Sequence, residues 1–358
     1  MLYLAPMHSL MRNLQTITLL LALGTTGLFA PGASAQYNLD YGFCIGTGNY
    51  LGDIGGDKFA RRDFVADLHL NQTRLSSHVF VRYRLSRVFA VRGQLGTVYL
   101  QDDDALTSYV PRAARNASFR NFVNELSFRS EITLFQRPLI TGYTSKFRAG
   151  LNVYVSGGIT AFTHAPQAQL DEDAVREHFP DEQSVVHQTL MARASGGEWL
   201  DLRSQKTEGV EYGLASVGFP LGGGLSFIVN NKIRFGVELF WNITLTDYLD
   251  DVSGTYADPS TLTSEGLVLS SPSSQAQINT LGVASWNVAG HQYNPEGRTI
   301  RGNPENNDSY GTLQVTVSKV VRGSSRFRDF TYGKRRRTVK RKAPKPGNRG
   351  IGRGRAKF

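Results

Sequence analysis

The chain has 358 residues, one cysteine and a formal net charge of +10. A single cysteine excludes an intramolecular disulfide, and with it a small secreted domain held together by disulfides. Twelve Lys or Arg residues and no Asp or Glu lie in residues 334–358, so the rest of the chain carries a formal charge of −2 (10 minus 12). The basic character therefore belongs to one terminal segment and not to the whole protein.

The N-terminus has the order of a secretory signal peptide. Arg12 supplies a positive charge, the segment from Leu14 to Ala30 is apolar, and Ala33-Ser34-Ala35 forms an A-x-A cleavage site. The alternative, a lone transmembrane helix, is disfavoured because the apolar run is short and is interrupted at Gly24. We therefore predict that residues 1–35 are a signal peptide and that the mature protein is exported.

The mature chain alternates between apolar and polar residues, which is the period-two pattern of β-strands. Residues 233–245 are one example, with apolar odd positions and mostly polar or small even positions. The pattern predicts eight strands, at roughly 37–50, 78–86, 88–101, 120–135, 146–162, 209–229, 232–249 and 309–321. Links after the second, fourth and sixth strands are short and the others are long, as in outer-membrane barrels. We predict an all-β fold, an eight-stranded antiparallel transmembrane outer-membrane β-barrel over residues 36–322 with long extracellular loops.

The polar face of the predicted strands carries charges of both signs. These are Arg82, Arg84, Arg92, Glu125, Arg129, Glu131, Arg148, Glu211, Arg234 and Glu238. A soluble sandwich or lipocalin-like barrel would bury them in a dry core, at several kcal/mol each unless they were paired. The sequence favours a membrane barrel whose narrow lumen holds these charges, paired between neighbouring strands, with bulky Tyr154, Phe162 and Phe240.

The C-terminal segment is expected to be periplasmic. An even number of strands places both termini on the same side, and the short turns of such barrels are periplasmic. We expect both termini in the periplasm of a Gram-negative bacterium, with residues 323–358 forming a basic, disordered tail. Nucleic acid is absent from that compartment and is not expected as a partner. The residues expected to bind a partner are Lys334, Arg335, Arg336, Arg337, Lys340, Arg341 and Lys342.

Three segments carry a family resemblance. GTGNYLGDI ends the first predicted strand, TDYLDDVSGTY ends the seventh, and FPLGGGLSF lies between them. Together they resemble the PorG-type outer-membrane β-barrel proteins of the Bacteroidota type IX secretion system. The motif residues are Asn49, Tyr50, Gly52, Asp53, Asp247, Tyr248, Leu249, Asp250, Asp251, Val252 and Ser253.

The resemblance implies a non-enzymatic component of a protein secretion and gliding machinery. It implies a barrel that is surrounded by outer-membrane lipid and anchors a periplasmic ring, formed by a lipoprotein and its partner. It implies no role for the tail, which departs in length and charge from a minimal barrel of that type. A small outer-membrane porin and an adhesion or surface-binding barrel remain as alternatives.

Sequence patterns for catalysis or metal binding are missing. The histidines form no His-x-x-x-His pattern and no serine lies in G-x-S-x-G. Asp247, Asp250 and Asp251 could supply oxygen ligands to a cation. They lack the Asp-x-Asp-x-Asp-Gly spacing, so a structural role in ordering a rim loop is favoured. We expect no cofactor, no metal and no enzymatic activity; a lipase or acylase site would have to be assembled from distant loops.

Overall fold

The computed structural model describes residues 39–56, 70–140, 149–230, 232–274, 279–281 and 300–321. The predicted signal peptide, Arg148 and the basic tail lie outside the described residues.

Eight long strands form a closed antiparallel barrel. The strands of the structure are β1 (Leu39–Leu51), β2 (Arg74–Arg84), β3 (Phe89–Asp103), β4 (Ser118–Ile140), β5 (Ala149–Thr163), β6 (Pro166–Gln169), β7 (Trp199–Asp201), β8 (Ala215–Val229), β9 (Ile233–Thr244) and β10 (Ser309–Val321). The wall follows the order β3-β2-β1-β10-β9-β8-β5-β4 and closes through pairing of β3 with β4. The short strands β6 and β7 form an antiparallel pair that extends from β4 outside the ring.

Short helices lie in the long loops. They are α1 (Val110–Arg115), α2 (Glu172–His178), α3 (Val185–Ser195), α4 (Leu202–Gln205) and α5 (Ser264–Ser270), with 3-10 turns at Leu70–Gln72, Asp104–Leu106 and Pro259–Thr261. Four of the five helices begin at side-chain caps. Asp171, for example, accepts a hydrogen bond from the backbone N–H of Ala174, and Ser184 from that of His187. Within the described residues, no helix has the length and apolar character needed to cross a membrane.

The two faces of the wall differ as the alternation predicts. On β9, Phe235, Val237 and Leu239 are exposed, whereas Glu238 and Phe240 are buried. The same outward apolar face runs along β1, β2, β4 and β10. Apolar residues outside and charged residues inside are the arrangement of a membrane barrel. The predicted fold class, an eight-stranded antiparallel transmembrane β-barrel, is confirmed.

The barrel has two unlike rims. The short-turn rim consists of the strand ends that residues 85–88, 141–148 and 230–232 join in the sequence. The long-loop rim carries the described parts of loops L1 (52–73), L2 (104–117), L3 (164–214) and L4 (245–308). Leu39 pairs with Val321, so the first and last strands begin and end at the short-turn rim.

Some strand boundaries differ from the prediction. The sixth wall strand, β8, begins at Ala215 and not at 209, and the seventh, β9, ends at Thr244 and not at 249. In both places the chain next to the strand belongs to the loops of the long-loop rim. β4 extends to Ile140 through two register shifts, which let this strand continue beyond the start of β3.

Candidate functional site: charged lumen and loop cap

An ion pair crosses the middle of the lumen. Arg92 Nη1 on β3 lies 2.6 Å from Glu238 Oε1 and 2.8 Å from Oε2 on β9. These strands stand opposite each other in the ring of eight. Tyr154 donates a hydrogen bond to the same carboxylate, and Arg82 Nη2 lies 3.5 Å from it. Four side chains from four strands therefore fill one level of the lumen.

Further pairs fill the lumen nearer the short-turn rim. Arg82 Nε lies 2.7 Å from Glu131 Oε2, and Arg234 Nε lies 2.9 Å from Asp40 Oδ2. The strands of each pair are separated by one other strand, β3 in the first case and β10 in the second. The prediction from sequence that Glu238 and Arg234 pair with charges on neighbouring strands is therefore wrong. The lumen of an eight-stranded barrel is narrow enough for side chains to meet across it.

Glu125 is the centre of a third level, nearer the long-loop rim. His78 Nε2 lies 2.9 Å from Glu125 Oε1, and the Tyr310 hydroxyl donates to Oε2 at 2.6 Å. Arg129 is 3.6 Å from the same carboxylate and lies over the ring of Phe240, 4.1 Å from its centroid. Ions and aromatic rings thus occupy successive levels of the lumen.

The predicted lumenal charges fall into three groups. Those buried inside the barrel are Arg82, Arg92, Glu125, Arg129, Glu131, Arg234 and Glu238. Arg84 is half-buried at the short-turn rim, and Arg148 lies outside the described residues. The prediction for Glu211 is wrong: it is exposed in L3, where its carboxylate lies 2.9 Å from Arg203 Nη2 and 3.4 Å from Lys206 Nζ. The alternating apolar and polar pattern around Glu211 lies in a loop and not in a strand, because β8 begins four residues later.

Above the lumen, the described parts of the four long loops form a cap. The Tyr50 hydroxyl, at the end of β1, donates to Asp308 Oδ1 at 2.5 Å and accepts from the N–H of Asp53 at 3.1 Å. Asp308 Oδ2 accepts from the N–H of Leu249 at 3.0 Å. A Cβ at position 52 would lie 1.9 Å from the Tyr50 hydroxyl oxygen, so only glycine fits beside this contact.

Asp250 joins the two motif segments that are far apart in the sequence. Its Oδ2 accepts from the N–H of Ile54 at 3.1 Å, and its Oδ1 accepts from the N–H of Val252 at 2.9 Å. Burial, with the nearby Asp53 carboxylate, raises the pKa of Asp250 to about 7. Burial and the Asp250 charge raise the pKa of Asp308 well above its usual range. Protonation of these carboxyls removes like-charge repulsion inside the cap.

Asp251 connects L4 to L3. It has a positive φ of 73°, and its carboxylate accepts from Thr207 Oγ1 at 2.5 Å and from the Tyr212 hydroxyl at 2.7 Å. Arg301 Nη1 lies 3.4 Å from the same group and donates to the Asp251 carbonyl at 2.5 Å. Burial raises the pKa of Asp251 to about 6, although Arg301 opposes that shift.

Arg115, in α1, connects L2 to L1 and L4. Its Nε lies 2.6 Å from Asp104 Oδ2, and its Nη2 donates to the Asp53 carbonyl at 2.6 Å. Its Nη1 donates to the Arg301 carbonyl at 2.7 Å. The buried guanidinium therefore satisfies backbone carbonyls of two other loops, which fixes their relative position.

The other motif residues also serve the cap. Leu249 and Val252 are fully buried in its apolar core. Ser253 donates its N–H to Glu208 Oε1 at 2.9 Å, Tyr248 stacks on Tyr212 with 4.5 Å between ring centroids, and Asn49 Nδ2 donates to Thr73 Oγ1 at 3.1 Å. The resemblance motif therefore contributes many of the residues that hold the loops together.

The structure favours the structural role of the aspartates over the cation site. The carboxylates of Asp250 and Asp251 accept hydrogen bonds from the chain itself, and Asp247 is buried. Among the described residues, no group of three or more His, Cys, Asp or Glu side chains has the arrangement of a metal site.

Sequence reasoning did not identify several residues that organise the cap and lumen. These are Asp40, Asp104, Arg112, Arg115, Arg301 and Asp308. Asp40 stands on the polar face of the first predicted strand and could have been found from alternation. The others lie in irregular loops, where no periodicity marks a side chain as buried.

A family model matches the first half of the barrel. Residues 17–187 match a model described as a domain of unknown function, DUF6089. The match includes β1 to β6 and ends inside L3, and it covers less than half of the chain. No curated protein matches the chain. The family description assigns no function and does not name PorG-type barrels.

One of the solved structures has a weak similarity to this chain. Ail, the attachment invasion locus protein of Yersinia pestis, solved in complex with the heparin analogue sucrose octasulfate, is 7% identical. The alignment covers 79% of this chain and 99% of that chain, with a TM-score of 0.30. The assignment of the fold rests on the strand pairing described above and not on this likeness.

Proposed function

We propose that the protein is a non-enzymatic outer-membrane barrel of a type IX secretion and gliding machinery, which anchors a periplasmic ring to the membrane. The observation that carries the proposal is the contact of Asp250 with the N–H of Ile54. It joins the two motif segments that resemble PorG-type barrels into one buried cluster. A motif whose residues build a rigid cap fits a protein that acts by presenting surfaces to partners.

The filled lumen supports an interaction protein over a porin. Arg92, Glu238 and Tyr154 meet across the barrel. Solute flow would require these buried ion pairs to separate, which costs about 3–5 kcal/mol for each charge left without its partner. A barrel of this kind contributes a stable membrane anchor and two rims of different chemistry.

We propose that the periplasmic ring contacts the barrel at its short-turn rim. The last wall strand ends there at Val321, and 12 residues separate it in the sequence from the basic segment 334–358. Twelve positive charges without an acidic residue attract acidic protein surfaces over about one Debye length, 8 Å at physiological salt. We propose that this tail tethers the barrel to the lipoprotein ring and its partner.

Co-purification under mild detergent tests the proposal. The full chain, expressed in its own host, should retain ring proteins at low salt, and mass spectrometry of the attached proteins should identify a periplasmic lipoprotein. Deletion of residues 334–358 should leave heat resistance of the barrel unchanged and reduce ring recovery. A matched control replaces the tail by an uncharged segment of equal length.

Two results would speak against the proposal. Recovery of no periplasmic lipoprotein with the full chain would contradict the anchoring role. Equal ring recovery with and without the tail would contradict the tether and restrict the tail to a spacer.

A surface-binding barrel is the second candidate, and the ordered cap favours it. Val185, in α3 of L3, is 78% exposed, and Val110 in L2 is also exposed. Apolar side chains on a rigid loop surface can bind a partner outside the cell. If partner binding requires the cap but not the tail, that result would favour a surface-binding barrel.

A further inference from the structure

An apolar groove runs across the outside of the barrel wall near the short-turn rim. It has a volume of about 810 Å³. Its lining consists of Tyr41, Gly42, Phe43, Val79, Lys232, Ile233, Val317, Ser318, Lys319 and Val320. A second groove of about 490 Å³ adjoins it through Tyr41, Gly42 and Val79 and continues to Gly93 on β3. Together they follow the lipid-facing surface of six strands, β1 to β4, β9 and β10.

The outward position of Lys319 is unusual for this wall. In β10 it lies beside Tyr41 of β1 and Ile233 of β9, both of which face outward. Among the described residues, charged side chains at outward positions of the barrel strands are limited to Asp103 and Arg120 near the long-loop rim, Arg137 on the β4 extension, and Lys319. A lysine that faces lipid is unfavourable unless its ammonium group reaches the headgroup region.

A second lysine lies next to Lys319. Lys232 is exposed in the turn before β9, and its carbonyl accepts from the N–H of Val320 at 2.7 Å. This hydrogen bond ties the turn to β10, and both lysines line the groove. Two ammonium groups beside an apolar groove fit a ligand with a hydrocarbon chain and an anionic head.

We propose that this groove binds an anionic phospholipid of the membrane leaflet at the short-turn rim. One acyl chain lies against Phe43, Val79 and Val317, and the phosphate accepts hydrogen bonds from Lys232 and Lys319. A zwitterionic lipid brings its own cation beside the phosphate, and is therefore bound less well by two lysines. The proposal concerns the barrel wall and does not depend on a role in secretion.

Charge argues against two other occupants of the groove. The chain's own basic tail carries the same sign as Lys232 and Lys319. A second copy packed symmetrically on this surface would add two more lysines of the same charge to the interface. Both arrangements place like charges together in a membrane environment, where their repulsion is weakly screened.

Native mass spectrometry of the purified full chain tests the proposal. The protein in detergent is titrated with phosphatidylglycerol or phosphatidylcholine of the same acyl chains. We expect a one-to-one adduct that favours phosphatidylglycerol. Substitution of Lys232→Gln and Lys319→Gln should each weaken that adduct roughly fivefold, because a lysine near an anionic membrane surface contributes about 1 kcal/mol.

Two further variants separate specific binding from general charge effects. Lys206→Gln removes one exposed lysine from the long-loop rim and should leave the adduct unchanged. Val317→Trp fills the groove while keeping both lysines, and should also weaken the adduct. Heat resistance of each variant on gels verifies that its barrel has formed.

The proposal is overturned if the two lipids bind equally to the wild-type protein. It is equally overturned if the double variant K232Q/K319Q retains the phosphatidylglycerol adduct at wild-type strength. An adduct that is lost in the lysine variants but unchanged by Val317→Trp would show a headgroup contact without an acyl groove, and would refute the site as described.

Discussion

Arg92 on β3 and Glu238 on β9 form an ion pair across the full width of the barrel, with 2.6 Å between Nη1 and Oε1. Neither side chain is exposed to solvent. The pair holds opposite walls together at the level where Tyr154 also donates to the Glu238 carboxylate. It stabilises the barrel and at the same time blocks its lumen.

Substitution of Glu238→Ala should strongly destabilise the barrel. It leaves the Arg92 guanidinium buried without its carboxylate, which costs about 3–5 kcal/mol. The exposed Glu211→Ala is the control, and its loss of pairing with Arg203 should change stability by less than about 1 kcal/mol. Urea unfolding of barrels inserted in lipid vesicles measures both midpoints. Indistinguishable midpoints would refute the importance of the ion pair.

The Tyr50 hydroxyl should be important for the cap but not for the barrel. Tyr50→Phe removes the donor to Asp308 and the acceptor of the Asp53 N–H, with a loss of about 1–3 kcal/mol for the buried groups left unsatisfied. Hydrogen exchange should increase in residues 249–254 and stay slow in the wall strands. Tyr99→Phe is the control, since its hydroxyl contacts Gln101 on the same strand. Unchanged exchange in residues 249–254 would contradict the role of this hydroxyl.

Cap stability should fall as pH rises. Because the pKa of Asp250 is raised from 3.8 to about 7 and that of Asp251 to about 6, the closed cap holds protons that the open cap releases. Their stabilising contribution is fully present below about pH 4 and is lost as pH rises toward 7. His164 opposes them: burial lowers its pKa to about 4, so its contribution is lost as pH falls from 6.5.

The variant Asp250→Asn isolates the Asp250 contribution. Its amide resembles the protonated carboxyl, so the difference in cap stability between pH 5 and pH 8 should become smaller than in the wild type. Hydrogen exchange of residues 245–254, corrected for the intrinsic effect of pH on exchange, measures this difference. A variant with the full wild-type dependence would show that another group is responsible.

The wall could be predicted from sequence because lipid and lumen impose a strict period of two on each strand. Phe235, Val237 and Leu239 face outward and Glu238 inward for that reason alone. The partner of Glu238 was not predictable, since alternation assigns a face but gives no information about which opposite strand a side chain reaches.

The cap could be predicted only in part. The residue types of Asp250 and Asp251 predict a role in ordering a rim loop, and their hydrogen bonds agree with this prediction. Their contacts with Ile54 and Tyr212 depend on loops that are distant in sequence and meet only after the barrel closes. Arg301 lies in such a loop, and no local pattern marks it as the buried cation beside Asp251.

Single-channel recording in a planar lipid bilayer tests the central claim, that this is a closed interaction barrel. Insertion is verified beforehand by the heat resistance of the reconstituted protein, because closed barrels keep their strand hydrogen bonds in detergent. We expect no steady conductance from the wild-type protein, since Arg92, Glu238 and Tyr154 fill the lumen beneath the cap. Steady conductance from correctly inserted wild-type protein would contradict the account and favour a pore.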